Sequence, residues 1–147
     1  MSALSRPGPA RPVRTSVRVR YAETDRMGVA YHAHYFVWFE MARTELMRQS
    51  GCAYKDLEDR DGLLFPVIRA EARYHASARY DDRLVVDARL VSVGGVRVRF
   101  EYELSERDGE KLLATGYTEH ASVGRDGRPK RLPESLRRRL LDGETQR

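Results

Sequence analysis

Residues 35–50 constrain the rest of the chain more than any other stretch. They contain no glycine or proline, and Gly51 follows at the position where helices commonly end. Apolar side chains at Tyr35, Trp38, Phe39, Ala42 and Leu46 recur at helical spacing, and the first turns, Tyr-Phe-Val-Trp-Phe, are apolar almost all round. Such a helix is expected to be buried rather than laid on a surface. A flat sheet covers only one stripe of a helix, so this one calls for a sheet curved around it.

The remaining sequence supplies strands. Residues 15–21 alternate, with Val17, Val19 and Tyr21 predicted to face the core and Arg18 and Arg20 the solvent. A short helical turn is expected at 54–58. From Ile68 to Arg79 small or apolar residues (Ala70, Ala72, Tyr74, Ala76, Ala78) hold the even positions, which predicts a long strand with one wet face. A strand at 83–93 leads through Gly94-Gly95, a tight hairpin signal, into 96–105, where Val96, Val98, Phe100, Tyr102 and Leu104 alternate with polar residues. Asp108-Gly109 marks the next hairpin, followed by a strand at 111–123, a basic loop at 124–132 and a short helix at 133–141. Together these elements predict an α+β hotdog fold: a five-stranded antiparallel sheet wrapped around one long central helix. Residues 1–14 read as a flexible basic N-terminal arm, 15–142 as a single domain and 143–147 as a tail. The open helix face and sheet edge favour self-association.

Charge narrows the function. The pI of about 9.6 arises at the ends: residues 1–20 carry five arginines and no acid, and residues 125–147 carry eight bases and four acids. The body between them has fourteen bases against eighteen acids, so a nucleic-acid partner is not expected. One cysteine, Cys52, precludes an internal disulfide and reads as a silent thiol. With no apolar leader and no apolar run long enough for a membrane span, a cytoplasmic protein is expected. His32, His34, His75 and His120 lack a ligand spacing, and no metal site is predicted.

The segment just before the apolar helix carries the chemistry. Asp25-Arg-Met-Gly28-Val-Ala-Tyr31-His32-Ala-His34 places a carboxylate, a flexible turn and imidazoles directly ahead of a helix N-terminus. There the unpaired N–H groups around His32 to His34 favour developing negative charge, and Gly28 lets the loop fold back. Glu23, two residues before Asp25, is a rival carboxylate.

The motif from Tyr21 to Tyr35, followed by Phe39-Glu40-x-Ala42-Arg43-Thr44-Glu45, resembles the hotdog acyl-CoA thioesterases of the 4-hydroxybenzoyl-CoA thioesterase group, most of all the Tol-Pal-associated branch. Tyr80-Asp81-Asp82-x-Leu84 and Asp126-Gly127-x-Pro129 extend the likeness, which spans about residues 15–135. The resemblance implies hydrolysis of acyl-CoA thioesters without metal or organic cofactor, in a dimer or tetramer whose site is formed across the subunit interface. It also selects Asp25 over Glu23, as nucleophile or as general base toward water. Tyr21 and His32 match positions that accompany the acid. Tyr21 is expected to hold Asp25 by a hydrogen bond, and His32 to orient the water or the carboxylate while giving its backbone N–H to the oxyanion. The competing reading is a non-catalytic acyl-CoA or acyl-carrier-protein binding module in which Asp25 only opens a turn. A hotdog dehydratase is a nearer rival by fold, against which the long match at 21–45 argues. The chain departs from the pattern at His34, where relatives usually carry asparagine, and at Arg26-Met27, where the pair is commonly smaller. CoA phosphates are expected to meet Arg26, strand arginines such as Arg69 or Arg79, or the basic loop at 125–131.

Overall fold

The computed structural model describes residues 12–108 and 111–142. Five strands, β1 (Val13–Arg18), β2 (Val67–Tyr74), β3 (Arg83–Val93), β4 (Arg97–Glu106) and β5 (Leu112–Ala121), form one sheet in the order β1-β3-β4-β5-β2, every neighbouring pair antiparallel. Three helices accompany them: α1 (His34–Gln49), α2 (Tyr54–Asp61) and α3 (Glu134–Asp142). This is the expected hotdog architecture. Strand begins at Val13, inside the expected arm; residues 1–11 and the tail at 143–147 lie outside the described residues.

The period-2 pattern places the core. Val86 and Ala88 of β3 stand opposite Leu104 and Tyr102 of β4, and Phe100 opposite Thr118 of β5; all are buried. Onto this concave face α1 lays Trp38, Phe39, Ala42 and Leu46, each at most 1% exposed. Phe39 stacks flat on Tyr102, ring centres 4.5 Å apart. Its edge fills the space above Gly116, where an added Cβ would lie 2.6 Å from both the Phe39 ring and the Glu71 carbonyl oxygen. Glycine on β5 is therefore what lets the helix approach the sheet.

Two strand ends differ from the expected pattern. β1 stops at Arg18, and after Val19, whose N–H donates to the Asp82 carbonyl, the chain turns through a short 3-10 helix at Tyr21–Glu23. The Glu23 carboxylate folds back to accept the Arg20 amide at 2.8 Å, a local bond that competes with strand extension. Tyr21 consequently lies outside the sheet, 77% exposed, rather than on the inward face of a strand. β2 ends at Tyr74 because His75 and Ala76 both donate to the Leu113 carbonyl, turning the chain toward the buried Ala78.

Candidate active site

The loop carrying Asp25 is closed on itself. An antiparallel bridge joins Thr24 to Ala30, Asp25 N–H donates to the Val29 carbonyl at 2.8 Å, and Gly28 N–H donates to the Asp25 carbonyl at 3.0 Å. Gly28 adopts φ +78° with open space around it, so the backbone conformation is what requires glycine there. Asp25 Oδ1 accepts the Met27 amide at 2.9 Å and the Val29 amide at 3.4 Å. The second oxygen, Oδ2, has no hydrogen-bond partner among the described residues and is available for chemistry.

Glu23 is committed elsewhere. It is 4% exposed, with Oε1 on the Arg20 amide and Oε2 accepting the Trp38 indole N–H at 3.2 Å. Burial opposes its ionisation, but the Arg20 amide, the Trp38 indole and the Arg20 guanidinium outweigh it and hold the carboxyl below its usual range. It fastens the segment to α1: the Glu23 carbonyl also accepts the Tyr31 amide at 2.8 Å. The loop and the start of the helix are thereby brought to one end of the molecule.

At that end the amides of His34, Tyr35 and Phe36 already donate to the carbonyls of Tyr31, His32 and Ala33. The N–H groups of His32 and Ala33 have no acceptor among the described residues, and no side chain caps the helix. His34 does not act as a cap; its ring packs edge-on against Tyr31. The uncapped helix N-terminus presents free donors to an anion.

His32 is exposed, its ring beside those of Tyr31 and Tyr74. Its carbonyl accepts the Tyr74 hydroxyl at 3.0 Å, so the end of β2 fixes the turn that carries the free amides. Tyr74 escaped the sequence reading as a site residue; the only signal was a large aromatic in the middle of an otherwise small-residue row. Tyr21 does not fill the expected role: its ring packs edge-to-face on Tyr80, and its hydroxyl makes no hydrogen bond to Asp25. Once the chain leaves β1 early, the 3-10 turn carries this side chain outward.

The arginines sort by partner. Arg125 and Lys130, expected to serve CoA, instead donate to the carbonyls of Glu58 and Asp61 at 2.8 and 2.6 Å, closing the C-terminal end of α2. Arg69 leans toward the Tyr117 ring. Arg79 is bridged to Val29, four residues from Asp25, and the side chains of Arg79 and Arg26 are exposed with no ion-pair partner among the described residues. Among the described residues no cluster of three metal-ligating side chains occurs, and no helix is long and apolar enough to cross a membrane.

Known proteins share the sequence and the fold of this chain. Residues 19–140 match the family described as the Thioesterase-like superfamily. A putative acyl-CoA thioesterase of Bacillus subtilis, YneP, is 36% identical over 110 residues, 75% of this chain and 78% of its own. The acyl-CoA thioesterase YbgC of Haemophilus influenzae is 39% identical over 88 residues, covering 60% of this chain and 65% of its own. Among solved structures, a probable thioesterase from Bartonella henselae superposes with a TM-score of 0.78 at 33% identity, covering 83% of this chain and 99% of that one.

Proposed function

Because the chain belongs to the Thioesterase-like superfamily, we propose that it hydrolyses acyl-CoA thioesters to a carboxylic acid and CoA, with Asp25 as the reacting carboxylate. The observation that carries this reading is the contrast between the two acids. Glu23 has both oxygens occupied, whereas Asp25 keeps Oδ2 free in the loop fastened to a helix end with two unused amides. A thioester carbonyl lodged there would direct its oxygen at the His32 and Ala33 N–H groups, which stabilise the charge that develops as the carbonyl becomes tetrahedral. Asp25 either takes a proton from the attacking water or attacks the carbonyl itself to give an anhydride that water opens. By either route the C–S bond breaks and CoA leaves as the thiolate, which takes up a proton. His32 is assigned to orienting the water or the carboxylate, and Tyr74 to holding the His32 carbonyl. Tyr21 stands with Tyr80 on the outer wall, not on the acid.

Arg26 and Arg79 are the cations best placed to meet CoA phosphates, being exposed, uncommitted and on or beside the Asp25 loop. A second copy of the chain is proposed to complete the cleft. Support for this comes from the unpaired outer edge of β2 and the exposed Val67, Ile68, Val37 and Met41.

Thiol release from a panel of acyl-CoAs tests the assignment. Wild-type protein is expected to turn over at least one member, and Asp25→Asn to lose at least a hundredfold in kcat with its melting temperature unchanged. Tight binding without thiol release in the wild type would make the protein an acyl-CoA binding module.

A further inference from the structure

The two free amides at the start of α1 are not held alike. The His32 N–H belongs to the peptide unit whose carbonyl is that of Tyr31, and this carbonyl accepts the His34 amide at 3.0 Å. The Ala33 N–H belongs to the next unit, whose carbonyl is that of His32. That oxygen takes the Tyr35 amide at 3.3 Å and, in addition, the Tyr74 hydroxyl at 3.0 Å. A peptide unit is planar and trans, so its C=O and N–H point in opposite directions from one rigid plate. Whatever fixes the His32 oxygen therefore aims the Ala33 N–H. A donor on that oxygen also draws electron density toward it and makes the N–H at the other end a stronger donor.

Tyr74 is itself held from two sides. Its backbone ends the β2 ladder opposite Ala114, and the next two amides, of His75 and Ala76, are both tied to the Leu113 carbonyl. Its ring meets the Tyr35 ring edge-on at 4.8 Å, and Tyr35 is 2% exposed, with its hydroxyl accepting the Ala78 amide at 3.3 Å. The side chain is thus located before its hydroxyl reaches the helix. Partial burial, and then the neighbouring Tyr35, push the Tyr74 hydroxyl above its usual range, so it stays protonated and donates.

We propose that Tyr74 is a positioning residue for the reaction: its hydroxyl aims and polarises the Ala33 N–H, which makes Ala33 the stronger of the two oxyanion donors. The inference rests on the thioesterase reading above and adds how the last residue of β2 acts on the reacting carbonyl without touching it.

Tyr74→Phe keeps the ring and its contact with Tyr35 and removes only the hydroxyl; because the residue is 45% exposed, the fold should stand. Its kcat is expected to fall about tenfold with KM within about twofold, the pattern of an interaction made mainly in the transition state. A merely structural residue would not alter the polarisation of a bound carbonyl. The deciding measurement is therefore the carbonyl stretch of an isotope-labelled acyl-CoA bound to Asp25→Asn. It is expected to lie below its value in solution, and to move back toward that value when Tyr74→Phe is added. Ala33→lactate, which replaces the amide by an ester and deletes the N–H, should abolish most of the downshift, and Tyr74→Phe should then change it no further. A wild-type kcat in Tyr74→Phe, a rise in KM alone, or a stretch indifferent to the Tyr74 hydroxyl overturns the proposal and leaves the thioesterase reading standing. If the wild type released no thiol from any acyl-CoA while the stretch still followed the Tyr74 hydroxyl, the thioesterase reading would fall and the action of Tyr74 on the Ala33 amide would hold.

Discussion

At the scale of single residues, Asp25 and Glu23 show how two acids two positions apart acquire opposite duties. Sequence spacing does not separate them, since each lies at the end of the same alternating segment. What separates them is where neighbouring donors sit: the Arg20 amide and the Trp38 indole occupy Glu23, while the amides of Met27 and Val29 reach only one oxygen of Asp25. Their variants should therefore fail differently. Glu23→Gln keeps the shape but loses the charge that those donors favour, and is expected to cost about 1–2 kcal/mol of stability, read as a lower urea midpoint, with turnover per folded molecule within a few-fold of wild type. Asp25→Asn is expected to do the reverse. A Glu23→Gln protein that folds with wild-type stability yet releases no thiol would exchange the two assignments. The Tyr21 expectation failed because its direction depends on the Glu23 side chain bonding back to the Arg20 amide, a choice that hydrophobic alternation does not encode.

At the scale of elements, a single row of polar groups joins α1 to three other segments. His120 accounts for its direction: Nδ1 lies 3.0 Å from the Phe65 carbonyl, which only accepts, so the ring carries its proton there and Nε2 accepts from Thr118 at 2.9 Å. Thr118 then accepts from Tyr102 at 2.5 Å, and Tyr102 from Arg43. Burial pushes His120 down to about 4; the bond to the Phe65 carbonyl works against that fall and the Arg43 charge adds to it. The unfolded chain, with an ordinary value near 6.5, binds this proton first as the pH falls. The contribution of the neutral ring is thus full above pH 6.5 and lost as the pH falls toward 4, on the order of 3 kcal/mol across the window. Urea midpoints between pH 7 and 4.5 should drop steeply in the wild type and less in His120→Gln, which starts lower; parallel slopes would remove His120 as the cause. Gly116, on the same strand, gives a purely steric prediction. Because a Cβ there would meet both the Glu71 carbonyl and the Phe39 ring, Gly116→Ala is expected to cost about 1–3 kcal/mol by forcing α1 off the sheet. A midpoint equal to that of the wild type would show that the helix yields freely. The alternation of β4 was legible from sequence. The partners across the sheet were not, because antiparallel register depends on which strands neighbour one another, and the order β1-β3-β4-β5-β2 carries no periodic signal.

At the scale of the whole molecule, the chain wraps its sheet around α1 on one side and leaves an opening on the other. The apolar run at 35–50 made the wrapping legible, since a helix that needs cover nearly all round admits few architectures. It did not reveal that Val37 and Met41, within that same run, stay 45% exposed. The one sheet does not cover them, and full burial of such a helix requires a surface that the described residues do not provide. β2 shows the same incompleteness: it is an outer strand of the sheet, with Val67 and Ile68 exposed where its ladder to β5 is interrupted by a register shift. Outer strands that must stay solitary are usually short, charged or bulged away from partners, and this one combines eight residues with an apolar start. Two copies joined antiparallel through β2, with α1 against α1, would bury both features at once in a self-complementary contact. Tyr74, at the end of that strand, holds the turn carrying the His32 and Ala33 amides, so such an assembly would be joined to that turn through one side chain. Ile68→Lys is the variant that tests this. Its side chain is already 47% exposed in the single chain, so lysine should leave the fold and the urea midpoint of a dilute sample nearly unchanged. Light scattering is expected to show the wild type as a dimer or larger and Ile68→Lys shifted toward monomer, with thiol release falling in proportion to the monomer fraction and recovering at high protein concentration. A monomeric Ile68→Lys with wild-type turnover would mean that each chain carries a complete site, and a wild type monomeric at micromolar concentration would remove the second copy from the mechanism altogether.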